Sequence, residues 1–351
     1  MSGTGRAAGA LAAVLAAVLA AALTGCSSTS PGERPSTTGG ASSASASAGT
    51  YVNPVLRDDT PDPWVLRAGD TFHLYATQGG GANVQTATST DLVHWTRTSD
   101  ALPQLGAWAQ AGATWAPEVV STAKGYVMFY VARDSRSGKQ CIGRAVSADP
   151  AGPFRDTASR PFVCQPAQGG SIDPDAVRGA DGHLYLYWKN DGNCCNEPVR
   201  LWGQQLTSDG SRLTGRSTAL MSNTKPWQGN LVEAPEMVVH DGDYILLYSA
   251  NNYASADYAI GWASCAGPLG PCTDESSRPL VATTKVAAGP GHCAPLTLAD
   301  GSTWLLFHAW QPDGIGTTYP GRQLWLEPLT WDDGAPRVEP PSTSPQRAPA
   351  R

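Results

Sequence analysis

The chain has 351 residues and a formal net charge of -6, and its Lys and Arg residues form no basic run or stripe. This charge pattern excludes the electrostatic footprint of a nucleic-acid-binding protein, so we expect a neutral partner. The 38 Gly, 28 Pro and 12 Trp residues, set against only 4 Met residues, indicate many turns and short strands rather than a mostly helical protein. One all-β domain can account for this length.

The first 25 residues have the layout of a signal peptide. A single Arg6 precedes an apolar run from Ala7 to Leu23, and the segment ends in Leu23-Thr24-Gly25-Cys26. These last four residues resemble a bacterial lipoprotein cleavage box, in which the cysteine becomes the lipidated N-terminus. We therefore predict a lipoprotein signal peptide over residues 1–25 and an extracellular, cell-surface protein that touches the membrane only through a lipid on Cys26. A plain secreted protein is the alternative.

The segment that follows has few side chains able to build a core. Residues 26–50 are nearly all Ser, Thr, Gly, Ala and Pro, and they are predicted to form a disordered tether. Residues 341–351 are predicted to be a disordered tail. Between these ends, residues 51–340 are predicted to form one folded domain.

Export would place the cysteines in an oxidising compartment, where structural disulfides form. Lipidation of Cys26 would leave seven of the eight cysteines, so at least one stays unpaired. Cys265 and Cys272 flank a turn-rich segment and are candidates for a disulfide that closes a short loop. Cys141 and Cys164 are candidates for a disulfide that holds a neighbouring hairpin. No pair of Cys-x-x-Cys spacings indicates a zinc site. The pairing of three cysteines stays open: Cys194, Cys195 and Cys293.

From Thr50 onward, short apolar runs are separated by Gly, Asp, Asn and Pro. One unit recurs five times: a proline motif that in most copies carries an acid, then apolar residues, a turn, and an aromatic-rich strand. The units begin at Asp62-Pro63-Trp64-Val65, Trp115-Ala116-Pro117-Glu118, Ile172-Asp173-Pro174-Asp175, Val232-Glu233-Ala234-Pro235-Glu236 and His292-Cys293-Ala294-Pro295. Each unit offers a third and a fourth strand, which is the content of a propeller blade. The repeat therefore predicts an all-β, five-bladed β-propeller.

In a propeller, the first strand of each blade lines the central channel, and the strand starts open at one end of the axis. A single acid beside a proline is a common turn residue. Several carboxylates crowded around one axis repel each other, and they indicate a functional site, either for a metal or for cleavage of a glycosidic bond. The repeat is expected to gather four acids at one opening: Asp62, Glu118, Asp173 and Glu233.

These motifs resemble those of glycoside hydrolase family 43, and the resemblance extends from about residue 51 to residue 340. It implies a five-bladed propeller that hydrolyses arabinofuranosides or xylosides with inversion at the anomeric carbon. The matching motifs are Asn53-Pro54-Val55-Leu56, Pro61-Asp62-Pro63, Trp115-Ala116-Pro117-Glu118, Ile172-Asp173-Pro174 and Glu233-Ala234-Pro235.

The resemblance implies a role for each of three carboxylates. Asp62 is expected to be the general base that activates water, Glu233 the general acid, and Asp173 the residue that orients the acid and tunes its pKa. An inverting mechanism needs one ionised and one protonated carboxyl group with a water between them. A third carboxylate keeps the acid protonated by like-charge repulsion. A register error of two residues would instead implicate Asp175 and Glu236.

Four further side chains are expected near the opening. Glu118, whose family counterpart is not catalytic, is expected to support substrate binding through hydrogen bonds. Trp115 is either a sugar platform or a packed core residue. The resemblance directs Arg322 at the catalytic acids or the sugar, and it places His308 against a Ca or Na ion, or a water, in the channel. A hydrogen-bonded structural histidine is the alternative. No cofactor is required for the chemistry.

The segments Tyr187 to Cys195 and Leu231 to Pro235 are most similar to the family's exo-acting α-1,5-L-arabinofuranosidase branch. The expected substrates are arabinan or arabinoxylan oligosaccharides, and the expected state is a monomer. A β-xylosidase or an endo-arabinanase of the same family would share the three carboxylates. A carbohydrate-binding propeller without turnover is the alternative from another class.

Overall fold

The computed structural model describes residues 49–350. The predicted signal peptide, the predicted anchor at Cys26 and the predicted tether up to residue 48 lie outside the described residues. Within residues 49–350 the helical elements are three short 3-10 turns, Pro166–Gln168, Gly192–Cys194 and Pro226–Gln228. No helix in this part of the chain is long and apolar enough to cross a membrane.

The strands form five antiparallel sheets arranged as the blades of a β-propeller, which confirms the predicted fold. Within each blade, neighbours in sequence are neighbours in the sheet. A short β1 (Thr50–Tyr51) precedes the blades. Blade 1 contains β2 (Trp64–Ala68), β3 (Thr71–Ala76), β4 (Gln85–Ser89) and β5 (Thr96–Arg97). Blade 2 contains β6 (Ala109–Thr122), β7 (Gly125–Asp134) and β8 (Gln140–Ser147). Blade 3 contains β9 (Ser171–Arg178), β10 (Leu184–Asn190), β11 (Leu201–Leu206) and β12 (Leu213–Met221). Blade 4 contains β13 (Val232–His240), β14 (Asp243–Ala250), β15 (Ala259–Cys265) and β16 (Cys272–Asp274); blade 5 contains β17 (Ala288–Thr297), β18 (Thr303–Trp310), β19 (Gln323–Asp332) and β20 (Ala335–Val338), and a final β21 spans Gln346–Arg347.

Blade 2 departs from the four-stranded expectation. Its ladder has three strands, and the place of a fourth is taken by two isolated antiparallel bridges, Val146 with Arg155 and Ile142 with Val163. Two backbone hydrogen bonds, of 3.0 and 2.9 Å, form the bridge between Val146 and Arg155. Pro153, two residues before Arg155, has no N–H to extend the ladder.

The apolar core is divided among the interfaces between blades. On β18, Leu305, Phe307 and Ala309 pack toward blade 4, whereas Trp304 and Leu306 pack toward blade 1. All eight residues of β18 are buried. A strand buried on both faces has no polar face, which explains why the second strand of each unit reads as a continuous apolar or aromatic run.

The first strand of blades 2 to 5 carries a bulge at the proline motif. In blade 3, Ile172 lies opposite Lys189 and Asp175 opposite Tyr187, so the interval between the paired residues is three on β9 and two on β10. The same offset occurs in blades 2, 4 and 5. One residue in each motif has a positive φ, which is uncommon for residues other than glycine. These residues are Asp62 (φ 53), Ala116 (φ 42), Asp173 (φ 53), Ala234 (φ 48) and His292 (φ 47).

The two ends of the described chain close the ring together. β1 pairs with β21, so part of the predicted disordered tail is an ordered strand, and that prediction was wrong for residues 346–347. Asn53 donates to the carbonyl of Leu326 on β19 and accepts from its N–H, at 2.8 and 2.9 Å. The polar groups of residues that precede blade 1 thus replace a missing neighbour at the edge of blade 5.

The structure contains the two predicted disulfides, Cys141–Cys164 and Cys265–Cys272. Cys293 is a buried free thiol, in agreement with the expected unpaired cysteine. A third disulfide joins the chain neighbours Cys194 and Cys195, whose pairing the sequence left open.

Candidate active site

A cavity of about 360 Å³ opens at one end of the central channel. Asp62 from the motif of blade 1, Asp173 from blade 3 and Glu233 from blade 4 all line it, together with Trp115 and Arg322. The structure thus brings the three predicted catalytic carboxylates to one pocket. Two of them, Asp62 and Asp173, occupy the positive-φ position of their motifs. This positive-φ backbone, which interrupts the regular alternation of a strand, places both side chains at the opening.

Asp62 lies among cationic and donor groups. Arg322 Nη1 donates to Asp62 Oδ1 at 2.8 Å, and Thr77 Oγ1 donates to Oδ2 at 2.6 Å. The Nδ1 atoms of His292 and His308 lie 3.4 and 3.5 Å from Oδ1. Burial acts to raise the pKa of Asp62, but Arg322, His292 and Thr77 outweigh it and hold that pKa below its usual range. Asp62 is therefore ionised at neutral pH.

His308 is fully buried and has only one of its ring nitrogens engaged. The backbone N–H of Asp62 donates to His308 Nδ1 at 3.1 Å, while Nε2 has no hydrogen-bond partner within residues 49–350. Burial, assisted by the nearby Arg322 charge, holds the pKa of His308 well below its usual value, so the ring is neutral. A neutral imidazole that accepts at Nδ1 carries its proton on Nε2.

This tautomer bears on the predicted channel ion. A protonated Nε2 is a donor and does not present a lone pair to a cation. Among residues 49–350, no group of three or more His, Cys, Asp or Glu side chains is arranged to hold a metal ion. The residues around His308 therefore do not fit a directly bound Ca or Na ion, and that ion stays a prediction on which no later step depends.

Glu233 is held by two donors. Lys189 Nζ donates to Glu233 Oε2 at 2.9 Å, and the Tyr258 hydroxyl donates to Oε1 at 2.8 Å. The Lys189 side chain is completely buried. Burial alone would lower the pKa of Lys189, but the charges of Glu233 and Asp173 overcome this and raise it, so the ammonium stays charged. A buried cation thus neutralises part of the carboxylate cluster.

Asp173 lies beside this pair and has an altered proton affinity. Its Oδ2 accepts from the backbone N–H of Ala234 at 3.0 Å. Burial and the charge of Glu233 raise the pKa of Asp173 to about 6, against the opposing effects of His292 and Lys189. Burial, with the neighbouring Glu233, thus makes Asp173 hold a proton more strongly, whereas the resemblance implied that Asp173 would have this effect on Glu233.

Glu118 is not at the opening, which corrects the prediction that it supports substrate binding at the rim. It lies opposite Phe129, three residues past Trp115, just as Asp175 lies opposite Tyr187 and three residues past Ile172. Its buried side chain accepts from the backbone N–H of Ala176 and does not line the pocket. The four acids expected at one blade position therefore occupy three different positions of the motif.

Glu118 instead belongs to a second, deeper set of carboxyl groups with Asp175 and Glu236. Burial, followed by the charge of Asp175, raises the pKa of Glu118 well above its usual value, and burial raises the pKa of Asp175 to about 7. Asp175 accepts from the backbone N–H of Met237 at 2.7 Å. Asp175 and Glu236 do not line the pocket, so the alternative register that would make them catalytic is not favoured.

Sequence reasoning placed Arg322 and Trp115 correctly at the pocket but missed Lys189, Tyr258 and His292. Lys189 is the one cation in the buried run of β10, and such an interruption of an apolar run is a usable signal. His292 occupies in blade 5 the position that Asp62 and Asp173 occupy in their blades. Tyr258 precedes β15 and has no comparable signal, because only the fold brings it to Glu233.

An ionised carboxylate and a carboxyl group with a raised pKa, gathered from separate blades in one pocket, are the kind of groups that hydrolysis of a glycosidic bond uses. The family model described as Glycosyl hydrolases family 43 matches residues 51–336. The chain belongs to this family.

Three known proteins are similar to this chain. The non-reducing end alpha-L-arabinofuranosidase BoGH43B of Bacteroides ovatus is 27% identical over 82% of this chain and 53% of its own length. A xylosidase/arabinosidase of Butyrivibrio fibrisolvens is 25% identical over 82% of this chain and 56% of its own. The chain thus spans about half the length of these curated relatives. The crystal structure of a thermostable family-43 glycoside hydrolase is 31% identical, with a TM-score of 0.78, and the match covers 86% of this chain and 99% of that one.

Proposed function

We propose that this protein is an inverting glycoside hydrolase that acts on pentose-containing polysaccharide fragments, and that it is an exo-acting α-L-arabinofuranosidase on arabinan. The observation that carries the proposal is the contrast between two parts of the pocket. Arg322, His292 and Thr77 hold Asp62 ionised, whereas the pKa of Asp173, beside Glu233, is raised to about 6. Below about pH 6 the Asp173–Glu233 pair therefore keeps a proton while Asp62 stays ionised, and acid–base hydrolysis needs one protonated and one ionised carboxyl group. The name of the B. ovatus relative supports the choice of sugar and of exo action.

Asp62 is proposed as the general base. Its Oδ1 and Oδ2 are oriented by Arg322 and Thr77, so a lone pair is available for a water held in the pocket. The water loses a proton to Asp62 as its oxygen attacks the anomeric carbon, and the configuration at that carbon inverts.

Glu233 is proposed as the general acid, which gives its proton to the departing glycosidic oxygen. The ammonium of Lys189 stabilises a negative charge on Glu233, whereas the neighbouring Asp173 opposes one. One proton shared by the Asp173–Glu233 pair therefore supplies the acid, and Tyr258 and Lys189 orient the carboxyl group that delivers it. Asp173 takes the role of pKa modulator.

Two alternatives remain within the family, a β-xylosidase and an endo-arabinanase. The B. fibrisolvens relative is a xylosidase/arabinosidase, which supports the first alternative. A carbohydrate-binding propeller without turnover is the alternative from another class, and the full set of Asp62, Asp173 and Glu233 in one pocket argues against it.

The test is to measure release of arabinose from linear α-1,5-arabino-oligosaccharides and of xylose from xylo-oligosaccharides by the purified protein. We expect faster release of arabinose, one residue at a time, with the inverted anomer as the first product in a proton NMR time course. Asp62→Asn serves as the control for contaminating glycosidase. Faster xylose release would select the β-xylosidase, internal cleavage would select the arabinanase, and binding without release would select the non-catalytic propeller.

We also propose that the protein is anchored at the cell surface through a lipid on Cys26, on the evidence of the Leu23-Thr24-Gly25-Cys26 sequence. Cys26→Ser should move the protein from the membrane fraction to the medium or leave the precursor uncleaved. A mature N-terminus that begins well beyond Cys26 and carries no lipid would contradict the anchor.

A further inference from the structure

The disulfide between Cys194 and Cys195 lies at the pocket, unlike the other two disulfides. Cys265–Cys272 joins two paired strands of blade 4, and Cys141–Cys164 ties β8 to the segment that follows it. Cys194 is exposed and lines the same cavity as the three carboxylates. The proposed mechanism uses neither cysteine, so the presence of this pair at the cavity wall needs another explanation.

The loop that carries the disulfide is held firmly in place. At its base, buried Asn190 donates to the carbonyl of Pro198 at 2.9 Å. At its tip, the backbone N–H groups of Cys195 and Glu197 both donate to the carbonyl of Gly192, each at 2.9 Å. Lys139 Nζ, from blade 2, donates to Cys195 Sγ at 2.8 Å. These contacts orient the pair so that Cys194 faces the cavity.

The loop also lies on the acid side of the pocket. It leaves the end of β10 directly after Lys189, whose ammonium holds Glu233. The partners of Asp62, by contrast, come from blades 1 and 5. In an inverting reaction the leaving group departs on the side of the acid and water enters on the side of the base. The disulfide therefore borders the space through which the departing part of the substrate extends.

The chemistry of this wall differs from that of the floor. Asp62, Asp173, Glu233 and Lys189 make the floor strongly polar. Two linked sulfur atoms carry no N–H or O–H and form a polarizable, apolar surface. Because the bond joins neighbouring residues, neither side chain loses rotamer freedom on contact with a ligand. Such a surface suits the C–H face of a sugar ring.

We propose that the Cys194–Cys195 disulfide is a specificity-determining contact for the sugar on the leaving-group side of the cleaved bond. This inference rests on the proposed glycoside hydrolysis and adds to it a binding surface for the second sugar of the substrate. The contact is made equally in the ground state and the transition state, because it lies away from the reacting atoms. It therefore acts on KM, with little effect on kcat.

The test compares the double variant C194S/C195S with wild type on two substrates of the pentose that the wild type releases faster. One is a linear oligosaccharide, and the other is the methyl glycoside, which has no sugar on the leaving-group side. We expect KM on the oligosaccharide to rise about tenfold with kcat nearly unchanged, from loss of the apolar contact. Both parameters on the methyl glycoside should stay within about twofold.

The matched control is C265S/C272S, which removes a disulfide away from the pocket and should change neither KM. An unchanged oligosaccharide KM in C194S/C195S would overturn the inference. An equal loss on both substrates would also overturn it, since the loop would then serve only to position Lys189. If the wild type released no pentose from any substrate, the proposed function would fail instead.

A second measurement tests the same contact without substitutions, in case C194S/C195S does not fold. Wild-type protein is treated with dithiothreitol under native conditions, and mass spectrometry after alkylation identifies samples in which only Cys194 and Cys195 are modified. The same pair of substrates should show the same selective rise in KM, and reoxidation of unalkylated protein should reverse it. A reduced enzyme with unaltered oligosaccharide KM would refute the proposed contact.

Discussion

At the scale of single residues, the three carboxylates of the pocket have different partners and are therefore not interchangeable. Asp62 accepts from the Arg322 guanidinium and the Thr77 hydroxyl, Glu233 has one cation and one hydroxyl, and Asp173 has a backbone donor and a neighbouring carboxyl group. Substitution of each should consequently change a different kinetic property.

Asp62→Ala and Glu233→Ala should differ in their dependence on the leaving group. Loss of the base deprives water of activation, so Asp62→Ala should lose about 10²- to 10⁴-fold in kcat on every substrate. Loss of the acid matters most when the departing oxygen needs a proton, so Glu233→Ala should be severe on a natural linkage and milder on a nitrophenyl glycoside. Steady-state kinetics on both substrates checks this, and equal losses for the two variants would contradict the assigned roles.

Asp173→Asn and Lys189→Met should move the basic limb of the pH profile in opposite directions. Activity on that limb needs a proton on the Asp173–Glu233 pair. Removal of the Asp173 charge weakens retention of this proton, so the limb should move to lower pH. Removal of the Lys189 ammonium, which lowers the pKa of Asp173, should move it to higher pH. Profiles of kcat/KM against pH measure both, and shifts in the same direction would be inconsistent with this account.

At the scale of elements, the proline motifs also connect neighbouring blades, through the backbone N–H groups of their positive-φ residues. The N–H of Ala116 donates to Thr77, that of Ala234 to Asp173, and that of His292 to Ser249, at 2.8, 3.0 and 2.8 Å. Each contact joins the motif of one blade to a side chain of the blade before it. The strained positive-φ residues are thus supported by the neighbouring blade.

Ser249→Ala should destabilise the propeller, because it leaves the buried N–H of His292 without its acceptor. An unsatisfied buried donor costs about 1–3 kcal/mol in the free energy of unfolding. Urea denaturation measures the difference. Ser277→Ala in the same blade is the control, since Ser277 is exposed and should change stability by no more than about 0.5 kcal/mol. Equal stabilities of the two variants would argue against the role of the inter-blade hydrogen bond.

At the scale of the whole molecule, closure of the ring depends on a buried carboxyl group. Glu327 on β19 accepts from Asn53 at 3.0 Å and from Gln346 at 3.2 Å, and so contacts both ends of the described chain. Burial raises the pKa of Glu327 to about 7. The folded protein therefore holds a proton there that the unfolded chain releases at lower pH.

The expected consequence is a loss of stability with rising pH. A raised carboxyl pKa contributes stability that is fully present below the unfolded pKa and is lost as pH rises through the folded value, here between roughly 4 and 7. Glu327→Gln keeps an acceptor but removes the titration, so its Tm should fall less than that of wild type between pH 5 and pH 8. Thermal unfolding at both pH values tests this. Parallel pH dependence in the two proteins would exclude Glu327 as a source.

The sequence by itself determined the number of blades, the family and the three carboxylates of the pocket. These features depend on local chemistry: a proline motif, a turn and an apolar strand recur within each unit, and each unit folds into one blade. Tertiary structure alone decided the depth of Glu118, the partners of Glu233, the order of residues 346–347 and the side of the pocket to which Cys194 faces. A bulge breaks the alternation from which depth would be inferred. Lys189 meets Glu233 only where two blades pack together, and Tyr258 reaches it from the loop between β14 and β15 of the same blade. Periodicity reports how a strand pairs within its own blade, whereas the site is made of contacts between blades.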